Sequence, residues 1–173
     1  MARKKIAKII FAGDPSVGKT SIITRLKKKG DIKNVEKTKG ICIESMAVNN
    51  DLEIVFWDFS GQVHFRDIVI PFFDGANVAI FVFDLSNSET LYSLINQWKN
   101  YLVKYAKDAP VLIVGNKKDI KSLNDDVIEE AIETLKKEIN VIGYIETSAL
   151  TNENLEKLYW KIVELAYEYG KEV

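Results

Sequence analysis

The chain has 173 residues, of which 47% are hydrophobic and 28% charged, and its formal net charge is -1. This length predicts one domain spanning residues 1–173, and the near-neutral charge argues against a nucleic-acid binder, which needs a basic excess. The single cysteine, Cys42, excludes an intrachain disulfide. No apolar run approaches the roughly 18 residues that cross a bilayer.

The two ends of the sequence carry no recognisable targeting signal. Residue 2 is Ala rather than the Gly that accepts myristate, and residues 169–173 contain no Cys for prenylation. The apolar run 6–11 is too short for the core of a signal peptide. We therefore expect a cytoplasmic protein with no membrane anchor of its own.

The first half of the chain alternates between strand and helix patterns. A β-branched run over 6–12 predicts a buried strand, and apolar residues at helical spacing predict a helix over 18–29. Residues 30–39 are polar and aperiodic, which predicts a loop. Residues 41–48 and 52–59 flank Asn49-Asn50-Asp51, a turn-forming sequence, and so predict an antiparallel hairpin.

The second half continues the alternation after a mixed stretch over 60–75. Further strands are predicted over 76–83, 111–114 and 141–145, and helices over 88–107, around 128–139 and around 155–166. Strands that alternate with helices form right-handed βαβ units. The sequence therefore predicts an α/β fold with a mostly parallel six-stranded sheet, one antiparallel edge strand and helices on both faces.

Gly13 to Thr20 reads GDPSVGKT and fits the phosphate-loop pattern G-x-x-x-x-G-K-[ST] between a strand and a helix. Backbone N–H groups of such a loop wrap phosphates, the lysine reaches the β- and γ-phosphates, and the hydroxyl of Thr20 ligates Mg²⁺. The bland alternative is a glycine-containing turn with an accidental Lys-Thr. The nucleotide-binding candidates here are Asp14, Pro15, Ser16, Val17, Gly18, Lys19, Thr20 and Ser21.

Asp58-Phe59-Ser60-Gly61-Gln62 follows the third predicted strand. The carboxylate of Asp58 is a candidate Mg²⁺ ligand, and Thr38, in the polar loop, would add a second hydroxyl. The N–H of Gly61 is placed for a γ-phosphate, and the amide of Gln62 for orienting an attacking water. Gln62, Lys19 and Thr38 are the catalytic candidates. Each short motif is weak alone; their order and spacing carry the weight.

Asn116-Lys117-Lys118-Asp119 ends the fifth predicted strand, and Glu146-Thr147-Ser148-Ala149 ends the sixth. The Asp119 carboxylate accepts from the two adjacent donors of guanine, a pair that adenine does not offer. Asn116 is placed to tie loops together, Lys117 to lie along the base, and the N–H groups of Ser148 and Ala149 to meet the guanine carbonyl. Without the phosphate loop, these residues would be read as a solvated loop.

Taken together, GDPSVGKT, TKG, WDFSGQ, NKKD and ETSA resemble, in order, the motifs of the Ras superfamily of small GTPases, and WDFSGQ leans toward its Rab, Arf or Rag side. The resemblance implies a P-loop NTPase G domain that binds GTP and GDP with Mg²⁺ and hydrolyses GTP slowly. It also implies two switch loops that bind effector, activating and exchange proteins. The composition, rich in Lys, Glu and Ile, hints at a prokaryotic source.

Two departures from the family pattern stand out. Pro15 and Ser16 occupy phosphate-loop positions where many relatives have Gly or another small residue, and proline lacks an N–H. No aromatic residue between Thr24 and Thr38 is available to cover the nucleotide. Two other functions stay open at this point: a pseudo-GTPase scaffold with negligible turnover, and an ATPase or nucleoside kinase that shares only the phosphate loop.

Overall fold

The computed structural model describes residues 3–27, 31–38 and 40–173, with the backbone alone over 31–38. The strands are β1 (Lys5–Ala12), β2 (Asp31–Thr38), β3 (Ile41–Ala47), β4 (Leu52–Phe59), β5 (Val78–Asp84), β6 (Val111–Asn116), β7 (Val141–Glu146) and β8 (Lys171–Glu172). The α-helices are α1 (Lys19–Lys27), α2 (Val63–Val69), α3 (Ser88–Ser93), α4 (Lys99–Tyr105), α5 (Asp125–Lys136) and α6 (Leu155–Tyr169). Turns of 3₁₀-helix cover Ile70–Phe73 and Lys118–Ile120, and a π-helical turn, Leu94–Trp98, joins α3 to α4.

All the described strands belong to one sheet in the order β2-β3-β4-β1-β5-β6-β7, with β8 paired to the start of β1. Five neighbouring strands of the sheet run parallel to one another: β4, β1, β5, β6 and β7. The strands β2, β3 and β8 pair antiparallel with their neighbours. The predicted α/β fold class is confirmed. The structure adds two strands to the expected six, so β3 is an inner strand and not the edge.

The expected loop over 30–39 is wrong where the structure describes it, because residues 31–38 form β2. This strand pairs along its length with β3, with a bulge between Asn34 and Glu36. The polar sequence of β2 lacks the apolar alternation by which a strand is predicted. An edge strand can lack it because its stability comes from hydrogen bonds to one neighbour, and edge strands commonly carry charged residues. Residues 28–30 and 39, which the predicted helix and loop also covered, lie outside the described residues.

Local sequence explains the turn between β3 and β4, and two further segments can be compared with their predictions. The side-chain oxygen of Asn49 accepts from the backbone N–H groups of Asp51 (2.8 Å) and Leu52 (2.9 Å), which closes the predicted hairpin turn between β3 and β4. The predicted helix over 88–107 is present as α3, the π-helical turn and α4. The mixed stretch after β4 contains α2 and a 3₁₀ turn that begins next to Pro71.

The core has a layer on each face of the sheet. Along β1, Ile9 and Phe11 pack with α1 and α6, whereas Ile10 and Ala12 pack with α2 to α5. This alternation is the period of two that a strand imposes on its side chains. No helix in the described part of the chain is long and apolar enough to cross a membrane.

Because the parallel strands run in one direction, their carboxyl ends meet at the same edge of the sheet. Phosphate-loop residues follow β1, Asp58 lies near the end of β4, and Asn116 ends β6. Ligands of open α/β sheets bind at this edge. The fold therefore brings the separate sequence motifs to one place.

Candidate functional site

Lys19 is the most buried charged group of the phosphate loop, at 4% exposed. Its ammonium donates to the backbone oxygens of Gly13 (2.9 Å) and Asp14 (2.7 Å). Burial lowers the pKa of Lys19 to about 8, although the carboxylates of Asp58 and Asp14 act in the opposite direction. The loop thus holds a cation that a bound anion would stabilise.

The loop backbone closes tightly around this lysine. Gly18 has φ of +104°, and a Cβ there would lie 2.1 Å from the amide nitrogen of Asn116, so only glycine fits. Ser16 also has a positive φ, +66°, where a non-glycine residue carries strain of roughly 1–3 kcal/mol. The serine that departs from the family pattern therefore occupies a glycine-favouring conformation.

Asp58 and Thr20 form a hydroxyl–carboxylate pair beside Lys19. The Thr20 hydroxyl donates to Oδ2 of Asp58 at 2.5 Å, and Asp58 is 8% exposed. The other carboxylate oxygen, Oδ1, is buried and has no hydrogen-bond partner among the described residues. Burial raises the pKa of Asp58, while the bond from Thr20 and the charge of Lys19 oppose this.

A buried, unpartnered carboxylate oxygen next to a hydroxyl fits the oxygen-ligand chemistry of Mg²⁺. No group of three or more His, Cys, Asp or Glu suited to a metal occurs in the described ranges. A cation at Thr20 and Asp58 would therefore take its other ligands from phosphate oxygens and water, as Mg²⁺ commonly does.

Asn116 joins three loops at the other end of the site. Its amide nitrogen donates to the Val17 carbonyl of the phosphate loop (3.0 Å). Its side-chain oxygen accepts from the Thr147 hydroxyl (3.0 Å) and the Ala149 N–H (3.2 Å). Asn116, Thr147 and Ser148 are all buried. The expected tie between loops is thus present as a set of satisfied, neutral hydrogen bonds.

Asp119 and Lys117 are each held by a partner. The Ser148 hydroxyl donates to Oδ1 of Asp119 at 2.6 Å, and the Lys117 ammonium lies 2.9 Å from Oδ2 of Asp84. Burial alone would raise the pKa of Asp84, but hydrogen bonds from Ser86 and Lys117 outweigh it and the pKa is lowered. Asp84, at the end of β5, was not predicted from the sequence as a partner, because no short pattern marks it.

One cavity of about 940 Å³ is lined by residues from both the phosphate loop and the segment 116–119. The predicted residues on its wall are Ser16, Gly18, Lys19, Thr20, Ser21, Asn116, Lys117, Asp119 and Ala149. The sequence reasoning missed Thr24, Arg25, Ser60, Ile120 and Leu150 as wall residues. Helical spacing from Thr20 and Ser21 would have found the first two. The sequence offers no aromatic residue between Thr24 and Thr38 to cover a nucleotide. Ile120 and Leu150 give the cavity an apolar part of its wall.

Other predicted residues lie around the cavity and do not form part of its wall. Val17 is buried, and Pro15 is exposed beside Gly61. Gln62 is exposed and directly precedes α2. Thr38 ends β2, but its side chain lies outside the described residues.

Gly61 packs directly on the phosphate loop. Its φ is +76°, and a Cβ would lie 2.4 Å from the carbonyl oxygen of Gly13 and 2.9 Å from the nitrogen of Pro15. A larger residue therefore has no room here. The contact brings the segment that follows β4 against the loop that follows β1.

The Asp14 carboxylate does not face the cavity but a neighbouring helix. Its Oδ1 accepts from the indole N–H of Trp98 at 3.0 Å and lies 3.4 Å from a guanidinium nitrogen of Arg66. Arg66 is 8% exposed. The sequence analysis named Asp14 as a nucleotide-binding candidate but did not predict the contacts of its carboxylate with Arg66 and Trp98, since these join positions far apart in the chain.

The fold and this cavity define an α/β nucleotide-binding protein with a phosphate loop, and comparison with known proteins narrows the class. Residues 8–168 match the model of the Ras family. Ras-related protein Rab-7B of Dictyostelium discoideum is 35% identical over 163 residues, covering 90% of this chain and 80% of that protein. Ras-related protein YPTC6 of Chlamydomonas reinhardtii is 29% identical over 164 residues, covering 92% and 74%.

The chain therefore belongs to the Ras family and is a small GTPase, that is, a GTP hydrolase. The resemblance inferred from the five motifs is confirmed. Nothing in these matches supports the alternative of a pseudo-GTPase scaffold.

Proposed function

We propose that residues 1–173 form a single G domain that acts as a GTP/GDP switch in the cytoplasm and hydrolyses GTP slowly with Mg²⁺. The observation that carries the proposal is one cavity with two chemically different ends. Buried Lys19 and the Thr20–Asp58 pair lie toward one end, and Asp119, held by Ser148, lies at the other.

The phosphate end would bind the charged part of the nucleotide. Lys19 and the backbone N–H groups of the loop would contact the phosphates. Thr20 and Asp58, together with Thr38, would hold Mg²⁺, which supplies positive charge against the phosphate oxygens. The unpartnered oxygen of Asp58 supports this assignment.

The base end would select guanine. Asp119 keeps one carboxylate oxygen engaged with Ser148 and presents the other to paired donors on the base. The stem of Lys117 would lie along the ring, since its ammonium is held by Asp84. Asn116 would fix the distance between this end and the phosphate loop.

Hydrolysis would use Gln62 to orient the water, with Gly61 and Thr38 contacting the γ-phosphate. Slow turnover is proposed because Arg3 and Arg66 are engaged elsewhere, and because Arg25, which lines the cavity, lies on α1 beyond the phosphate loop. Arg3 pairs with Glu172, and Arg66 is buried against Asp14 and Trp98. An activating protein would speed the reaction, and effector and exchange proteins would bind the switch loops.

Single-turnover GTP hydrolysis, measured as phosphate release from protein preloaded with GTP, tests the proposal. Gln62→Leu removes the amide that would orient water, so we expect a rate at least about tenfold lower, with GTP affinity within about threefold of the wild type. His64→Ala is the matched control, because His64 is exposed in the same segment.

An equal rate in Gln62→Leu and wild type would contradict the role of Gln62. A fall in His64→Ala with none in Gln62→Leu would move the role to the histidine. Fast unassisted turnover by the wild type would contradict the proposal of slow hydrolysis.

A further inference from the structure

The guanidinium of Arg66 joins three separate parts of the chain. Nε donates to the carbonyl oxygen of Gly61 at 3.0 Å, one terminal nitrogen donates to Oε1 of Gln97, and the other lies 3.4 Å from Oδ1 of Asp14. The group also lies over the ring of Trp98, 4.8 Å from its centroid. Each nitrogen thus has its own partner, and all of these contacts converge on one buried cation.

The geometry of the guanidinium makes this arrangement selective for arginine. Its donors form a planar, rigid fork, so two fixed contacts determine the direction of the third. A lysine ammonium is a point charge on a flexible stem and does not reproduce the fork. The residue is 8% exposed, and burying such a charge is costly unless it is paired, as it is with Asp14.

The helical segment opposite Arg66 contains a π-helical turn at the point of contact. Gln97 and Trp98 both belong to the π-helical turn between α3 and α4. Such turns are rare and shift the direction of the side chains that follow, and they occur frequently at functional sites. Here the turn presents an amide oxygen to the guanidinium and an indole N–H to Asp14 in the phosphate loop.

The contact that matters for function is the one to Gly61. Fixing the Gly61 carbonyl fixes the plane of the Gly61–Gln62 peptide, whose N–H lies 3.4 Å from the Ser60 hydroxyl. Gly61 itself is pressed on the phosphate loop. This peptide joins the two groups assigned above: the Gly61 N–H, which precedes it across the same Cα, to the γ-phosphate, and the Gln62 side chain, which follows it, to the water. Its orientation therefore affects the placement of both groups.

We propose that Arg66 is a positioning residue for the γ-phosphate: it sets the Gly61–Gln62 peptide against the phosphate loop and thereby increases the preference for triphosphate over diphosphate. This inference rests on the proposed function. Arg66 acts through the peptide and does not itself touch the nucleotide. A diphosphate makes no use of the Gly61 N–H or of the Gln62 side chain, so its affinity depends little on Arg66.

The test compares the dissociation constants of GDP and of a slowly hydrolysed GTP analogue, GTPγS, with Mg²⁺, by competition against a fluorescent nucleotide. In Arg66→Ala and Arg66→Lys we expect the preference for GTPγS over GDP to fall about tenfold, the usual size for a lost charge-assisted hydrogen bond. GDP affinity stays within about threefold of the wild type. Gln97→Ala, which removes one exposed partner, lowers the preference by about two- to threefold.

Asp67→Asn is the matched control, since Asp67 is the exposed neighbour of Arg66 in α2, and it leaves the preference unchanged. An unchanged preference in both Arg66 variants overturns the inference. So does an equal loss for GDP and GTPγS, which would show a purely structural role. If Arg66→Ala does not fold, Gln97→Ala decides: an unchanged preference overturns the inference.

The wild-type arm separates this inference from the proposed function. A wild type that binds neither nucleotide overturns both. A wild type that binds both nucleotides, with no shift in the variants, overturns the inference alone.

Discussion

The two ends of the cavity differ in how far their polar groups are already satisfied. At the base end, Asn116 donates to one loop and accepts from another, and Asp119 is held by the Ser148 hydroxyl. At the phosphate end, Lys19 has a lowered pKa because it is buried, and Asp58 has a raised pKa with one oxygen unpartnered among the described residues. The base end is pre-formed, whereas the phosphate end holds charges that need a ligand.

This difference has a physical cause in the fold. The base end is built from groups at the ends of β6 and β7 and in the loops that follow them, and the pairing of these adjacent parallel strands fixes their spacing. Its charged side chains, Asp119 and Lys117, each have a partner. The phosphate end brings together charged side chains from β4 and α1, and burial penalises their ionised forms. We therefore expect recognition of the base to be rigid, and binding at the phosphate end to be coupled to charge and to a cation.

The largest effect is expected at the phosphate end. Lys19→Ala removes the buried ammonium that would contact the phosphates, so we expect GDP affinity to fall roughly 10³-fold, about two charge-assisted hydrogen bonds. Calorimetric titration of GDP measures it. Lys157→Ala, an exposed lysine on α6, is the control. Near wild-type GDP affinity in Lys19→Ala would contradict the role of the Lys19 ammonium in binding the phosphates.

A smaller effect is expected at the base end. Asp119→Ala deletes the carboxylate that would distinguish guanine, so the preference for GDP over ADP falls about 10²-fold. The same titrations with GDP and ADP measure it, with Asp126→Ala, an exposed carboxylate at the start of α5, as the control. A preserved guanine preference in Asp119→Ala would contradict the role of Asp119 in selecting guanine.

The smallest expected effect is a change in the free energy of unfolding. Its sign tests whether the phosphate end holds an unsatisfied charge. Burial raises the pKa of Asp58, so its contribution to stability is complete below the ordinary pKa of a carboxyl group and is lost as the pH rises through the raised value. At neutral pH without Mg²⁺ the carboxylate therefore destabilises the fold. Asp58→Asn should stabilise by about 1 kcal/mol, or a rise of about 2–4 °C in melting temperature.

Thermal unfolding in a chelator, at pH 7 and near pH 4, measures this prediction. The gain of Asp58→Asn should shrink at the lower pH, where the wild-type carboxyl is more protonated. The variant should also lose the dependence of GDP binding on Mg²⁺. A lower melting temperature at pH 7 would contradict the account of the phosphate end.

Much of the fold and site was predictable because the signals are local. The phosphate loop, the hairpin and the NKKD motif each depend on residues close in sequence, and each lies where the pattern placed it. The edge strand β2 was not predictable, since its stability comes from pairing with β3 and not from its own apolar pattern.

The contacts of Arg66 also could not be predicted from the sequence. Arg66, Asp14 and Trp98 are separated by tens of residues, and no short motif links them. The exposed fraction of Arg66 is set by its packing against the helix that contains Trp98. Such long-range pairings arise only when the sheet has placed β1 and β4 side by side.

Binding of GDP and ADP to the wild type, measured with Mg²⁺ and with a chelator, distinguishes the two ends of the cavity. A pre-formed base end and a charged phosphate end predict that chelation weakens both nucleotides, while the preference for GDP over ADP changes by less than about threefold. Equal affinity for GDP and ADP, or a preference that disappears with the cation, would contradict it.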